Sequence, residues 1–131
     1  MDDCNFCLDN NNIKGEILAK NKLCYFVESI CPVLKHAGMI ITYRHVSSPF
    51  DINQEEWSAI RELLEEARVI LDRHKPSGYS IGWNVGEDAG QHNNHAHLHI
   101  IARFPDEPLR GKGIRWVFQQ ESNRRLSEKA E

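Results

Sequence analysis

No apolar run in this 131-residue chain approaches the ~20 residues that a membrane-spanning helix needs. The opening Met1-Asp2-Asp3 is acidic, without the basic and apolar regions of a signal peptide, so a cytoplasmic protein is the expectation. Basic charge is not in excess either. Sixteen Lys and Arg stand against nineteen Asp and Glu, a net charge of −3, which gives no support to a nucleic-acid binder. No internal repeat and no linker separates two domains, so residues 1–131 are expected to form a single domain. With no secretory signal, the four cysteines do not suggest a disulfide framework. Cys24 and Cys31 read as core or strand residues. Cys4-Asn5-Phe6-Cys7 differs, because a Cys-x-x-Cys pair holds zinc or runs redox chemistry, although a zinc site needs two further ligands.

The chain does have histidine. In His95-Ala96-His97-Leu98-His99-Ile100-Ile101, read as a strand, three imidazoles line one face at intervals of about 6.6 Å. Ala96, Leu98 and Ile100 line the other. A helix would scatter both sets. Upstream, Gly86-Glu87-Asp88-Ala89-Gly90-Gln91 is a glycine-bearing turn whose backbone N–H groups suit an anion. A phosphate held there would face the histidine row, which points to attack on phosphorus by an imidazole. His97 is central and is the candidate nucleophile. Attack by one ring nitrogen requires the other to carry its proton against an acceptor such as a backbone carbonyl. His99 is the candidate hydrogen-bond donor to the bound phosphate or a bridging oxygen.

Local patterning places strands at Glu16–Lys20 and Leu23–Glu28 around Asn21-Lys22, then at Gly38–Tyr43, Tyr79–Val85 and His95–Ala102. One long helix opens at Asn53, with Glu56 completing a capping box. Its apolar face is Trp57, Ile60, Leu63, Leu64, Ala67, Ile70 and Leu71, and Pro76 and Gly78 end it. Ile114–Arg125 reads as a short helix, with a frayed tail from about residue 119. The expectation is an α+β fold, a mainly antiparallel sheet with the helix on one face and the histidines on the other.

The run Gly82-Trp83-Asn84-Val85-Gly86 to Gly90-Gln91-His92 and His95–Ile101 resembles the signature of the histidine triad (HIT) superfamily, more weakly from Cys4 to Pro105. The resemblance implies a HIT-like fold and a nucleotide hydrolase or nucleotidyl transferase. Its substrates would be dinucleoside polyphosphates or nucleoside phosphoramidates, attacked at an α-phosphate through a nucleotidyl-histidine at His97. It implies phosphate or substrate contacts for Asn84, Gly90 and Gln91, with His92 standing where relatives carry Ser or Thr. It implies a structural zinc on Cys4, Cys7, His45 and His95, and a homodimer. Where relatives have Gly-His this chain has His36-Ala37, so either His36 supplies a fourth active-site histidine or that role is absent. The usual ribose-binding Asp is Ser29, beside Glu28. Arg103, Arg110, Lys112 and Arg115 either meet further phosphates or form a basic surface loop. Trp116, Val117 and Phe118 face a partner or pack into the core. The alternatives to an enzyme are a non-catalytic nucleotide-binding or regulatory protein, and a zinc or redox module.

Overall fold

The computed structural model describes residues 3–129. Five strands form one antiparallel sheet: β1 (Ile17–Lys20), β2 (Cys24–Glu28), β3 (Ala37–Thr42), β4 (Gly78–Trp83) and β5 (His97–Arg103). The spatial order is β1-β2-β3-β5-β4. The helix α1 (Gln54–Asp72) lies between β3 and β4 in the chain, and β5 enters between those two strands. The histidine strand therefore has hydrogen-bonded neighbours on both edges and is held in register from both sides. Among the described residues, no helix is long and apolar enough to cross a membrane.

Alternation along the strands divides the core in two. Cys24, Phe26, Ile40, Leu98 and Ile100 meet Ile60, Leu63, Ala67 and Leu71 of α1. Tyr25, Val27 and Ile41 face the opposite way, where Phe6 covers them with Cys4, Leu8, Ile13 and Ile17 packed around. The sheet is thus apolar on both faces along β2, whose Cys24–Val27 are all buried. The short strands β1 and β2 meet through Asn21, whose side-chain oxygen accepts from Leu23 and Cys24 N–H. Its amide donates to the Ala59 carbonyl of α1, tying the hairpin to the helix.

Four details depart from the sequence reading. The ladder of β5 begins at His97, because Ala96 N–H turns to the Val46 carbonyl at 2.7 Å instead of a strand partner. Cys31 is exposed, since the chain leaves the sheet after Glu28. Trp57 is 42% exposed and packs edge-on to Trp83, while Glu56 is buried on the helix face in its place. Ile114–Arg125 is not one helix but α2 (Ile114–Phe118) and a 3-10 turn (Glu121–Asn123), followed by α3 (Leu126–Lys129). Gln120 is extended (φ −66°, ψ 138°), and Val117 and Phe118 remain exposed, so no buried apolar face holds a longer helix together.

Glu56 completes the expected capping box: its N–H donates to Asn53 Oδ1 at 2.8 Å and its carboxylate accepts from Asn53 N–H at 3.1 Å. The same carboxylate takes two hydrogen bonds from the Arg44 guanidinium, at 3.0 and 2.6 Å. These bonds hold Glu56 below the usual carboxylate range, against the opposing effect of burial. Folding therefore favours the ionised form. The stabilisation is present above the unfolded-chain value of about 4.3 and is lost as pH falls through the lower folded value. Glu56→Gln is expected to lower the melting temperature at pH 7 by about 3–6 °C, given that solvent screens the half-exposed Arg44. The gap should close in acid. Equal melting curves at pH 7 would refute this.

Candidate functional site

β5 carries His97 and His99 on the face away from α1, opposite Ile41 and Met39 of β3. His97 is nearly buried and its Nδ1 lies 2.9 Å from its own chain's His95 carbonyl oxygen. A carbonyl only accepts, so Nδ1 carries the proton and Nε2 keeps the lone pair. The His99 ring stands 4.8 Å away, centroid to centroid, at 75°. Burial lowers the pKa of both rings, with the neighbouring imidazoles adding to the effect. Both are therefore held neutral at pH 7.

A cavity of about 630 Å³ opens over these two rings. Asn84, Gly90, His92 and Asn93 border it on one side; Glu28, Ser29, Ile30, Cys31 and Leu34 border it on another. The structure thus brings together His97, His99, Asn84, Gly90 and His92. Gln91 is different, because it is absent from the cavity wall and its side chain spans the turn. Its Oε1 accepts from Gly86 N–H at 2.9 Å, and its Nε2 donates to the Ser47 and Asn93 carbonyls at 2.7 and 3.0 Å. The N–H groups of Gly90 and Gln91 are bonded inside the turn, to Glu87 and Gly86 carbonyls. Gly86 and Gly90 have φ of 90° and 88°, so the turn depends on glycine at both positions.

His36 lies outside the cavity wall. Its ring stacks on His74 at 3.6 Å. Arg103 is tied to Glu107, Ser80 and the Lys112 and Leu109 carbonyls. Neither it nor Arg110, Lys112 or Arg115 borders the cavity. Sequence reasoning missed Asn5, Phe6, Asn12 and Lys14, which do. No local pattern marks Lys14. Nor does any local pattern mark Phe6, whose place over the sheet depends on residues far along the chain.

Cys4, Cys7, His45 and His95 form that cluster, a set able to hold a metal ion, with all ligand atoms within 4.8 Å of one another. Cys4 Sγ and Cys7 Sγ lie 3.4 and 3.6 Å from His95 Nδ1, and Cys7 Sγ lies 3.3 Å from His45 Nδ1. Bonds of about 2.3 Å to sulfur and 2.0 Å to nitrogen at tetrahedral angles put S and N about 3.5 Å apart, so the residues fit a tetrahedral ion. His95 is fully buried, and burial pushes its pKa down to about 4. Its Nε2–H donates to the Thr42 carbonyl at 2.8 Å, which leaves Nδ1 free to ligate. His95 reaches this cluster because the chain ahead of β5 follows the 44–46 segment rather than the sheet.

Comparison with known proteins agrees with this geometry. An AP-4-A phosphorylase of Mycobacterium tuberculosis is 31% identical over 93 residues, 70% of this chain, and the chain spans about half (48%) of that protein's length. An adenosine 5′-monophosphoramidase of Schizosaccharomyces pombe is 28% identical over 117 residues, 86% of this chain and 82% of that protein. The crystal structure of a HIT family protein from Bacillus anthracis superposes with a TM-score of 0.76 at 24% identity, covering 98% of this chain and 90% of the other. The family model of the HIT domain matches residues 10–106, from the segment that covers the sheet to the end of the histidine strand, and the chain belongs to the HIT domain family.

Proposed function

We propose that the protein is a nucleotide hydrolase or nucleotidyl transferase that attacks an α-phosphate through a covalent nucleotidyl-histidine. One observation carries the reading: the His95 carbonyl fixes the tautomer of His97, so its lone pair stands on Nε2 at a cavity that it shares with His99. Nε2 bonds to phosphorus, and the electron pair of the bond from phosphorus to the leaving group departs with that group, as a phosphate anion from a polyphosphate or as the free amine from a phosphoramidate already protonated on nitrogen. His99 donates a hydrogen bond to the departing atom or to a phosphate oxygen. As the imidazole becomes cationic, the His95 carbonyl stabilises the charge through Nδ1–H. Water or another acceptor then takes the nucleotidyl group and restores the free imidazole. Asn84, Gly90 and His92 contact the substrate from the cavity wall, and Gln91 holds the turn that carries them.

Candidate substrates are nucleoside phosphoramidates and dinucleoside polyphosphates, in line with the names of the two relatives. The proposal includes zinc on Cys4, Cys7, His45 and His95. With four protein ligands no coordination position is open, so bound zinc supplies a structural cross-link. It also includes a homodimer, supported by the exposed Ile114 beside Gly82 of the edge strand β4 and by the exposed Val117 and Phe118 on the same short helix.

The test is rapid quenching of the protein with adenosine phosphoramidate and with diadenosine polyphosphates, followed by intact-mass measurement. A transient adenylyl adduct is expected, followed by release of AMP in water. Neither adduct nor product with any of these substrates would overturn the proposal.

A further inference from the structure

Asn5 and Phe6, the two residues between the cysteines of the cluster, ligate nothing. Phe6 is nonetheless buried, whereas Asp3, Asn5 and Asp9 of the same segment are exposed. Its ring stands edge-on to the nucleophilic imidazole, with centroids 5.1 Å apart and planes at 80°. His95 is its next aromatic neighbour, at 6.3 Å and 61°. Beneath the ring lie Tyr25, Val27 and Ile41, and the Tyr25 hydroxyl donates to the Phe6 carbonyl. The ring is therefore fixed along the chain by two cysteines, from below by the sheet, and at its own backbone by a buried tyrosine.

An imidazole on a strand has one soft torsion, χ2, with two broad wells. The hydrogen bond from Nδ1–H to the His95 carbonyl selects one well only while that carbonyl has no competing donor. Water beside the ring would supply one. Phe6 occupies that space with a hydrophobic ring, and its edge meets the imidazole in the arrangement that aromatic quadrupoles favour.

We infer that Phe6 is a positioning residue for His97: clamped between Cys4 and Cys7, its ring holds the imidazole so that Nδ1–H stays on the His95 carbonyl and Nε2 stays toward the cavity. The inference rests on His97 as nucleophile. It also gives the cysteine pair a role in the chemistry without contact between any metal and substrate. The cluster anchors the strap, and the strap holds the catalytic ring. Phe6 also borders the cavity, so its removal touches KM as well, but as a positioning residue it should cost more in kcat than in KM.

The test uses zinc-loaded Phe6→Ala and Phe6→Leu variants with a nucleoside phosphoramidate. The imidazole N–H resonances of histidine-labelled protein are recorded alongside. Phe6→Ala is expected to lower kcat about 10- to 100-fold, the usual cost of a misplaced catalytic group. KM should change by less than kcat, since Phe6 is one of many residues on the cavity wall; metal content should be unchanged, and the His97 Nδ1–H signal should broaden through exchange with water. Phe6→Leu keeps most of the volume without the flat ring. It should melt near the wild type yet lose about tenfold in kcat, and it decides the matter if the alanine variant does not fold. Wild-type kcat in the leucine variant, a loss confined to KM, or a loss that follows metal content would overturn the inference. If the wild type forms no nucleotidyl adduct, the proposed function fails instead. The N–H signal of His97 then still tests the contact, and its survival unchanged in both variants overturns the inference.

Discussion

His97→Gly is expected to lower turnover by about 10³-fold or more and to abolish the nucleotidyl adduct, while nucleotide affinity stays within about threefold. The asymmetry follows from where His97 sits. It is one residue of a wall that also includes Asn84, Gly90, His92, Ser29, Leu34 and Met39, all of which remain. What disappears is, among the described residues, the one ring in that wall whose nitrogen is oriented by a backbone carbonyl. His99 cannot replace it by a small shift, because its ring lies at 75° to that of His97 and no such bond fixes its proton. His99→Ala is therefore expected to cost less, about 10- to 100-fold, as a lost hydrogen bond to the departing atom. Burst kinetics with intact-mass detection separate the two: no adduct in the first variant, slower adduct formation in the second. Added imidazole is expected to restore part of the turnover of His97→Gly, since the substitution leaves a ring-sized space open to the cavity. Near-wild-type turnover in His97→Gly would remove the imidazole nucleophile from the mechanism and favour a binding or regulatory role for the cavity.

The parts of this site that were legible in the sequence are those written in local periodicity. Alternation at 95–101 gave the strand, its faces and the identity of the two cavity histidines. Asn53 and Glu56 marked the start of α1. Departures arise where a residue answers to a distant partner. His95 fits the alternation, yet Ala96 bonds to Val46, so the chain leaves the sheet at the point where a period-2 pattern says it continues. Glu56 reads only as the partner of Asn53 in a capping box. Only the approach of Arg44 from the end of β3 makes it a buried ion. The resemblance implies phosphate contacts from the backbone of Gly90-Gln91, and it says nothing of the Gln91 side chain, whose amide finds the Ser47 carbonyl 44 positions away. The covering of the second sheet face by Phe6 was legible least of all. It goes with a cluster of four side chains gathered from three separate segments, and no window of sequence contains them together.

Stripping the proposed zinc is the second large effect. Chelation under native conditions is expected to lower the melting temperature by about 10 °C or more. A ligand present at a thousand times its dissociation constant stabilises by about 4 kcal/mol, and a domain of this size shifts by about 2–5 °C per kcal/mol. Cys7→Ser should melt at the stripped temperature and ignore the chelator. Cys31→Ser should retain one zinc per chain, because Cys31 lies exposed in the β2–β3 connection. Identical melting of treated and untreated protein, with no metal released, would refute the site. Activity then separates a structural ion from a catalytic one. Four protein ligands leave no position for water or phosphate, so the proposed ion would touch the reaction only through its ligands: the strap that carries Phe6, and His95, whose carbonyl holds Nδ1–H of His97. Stripped protein assayed well below its melting temperature should therefore turn over no faster than Phe6→Ala, because both Phe6 and His95 lose their anchor. A fall to the level of His97→Gly with the His97 Nδ1–H signal unchanged would mean that the metal itself takes part in the chemistry, and the structural assignment would be wrong.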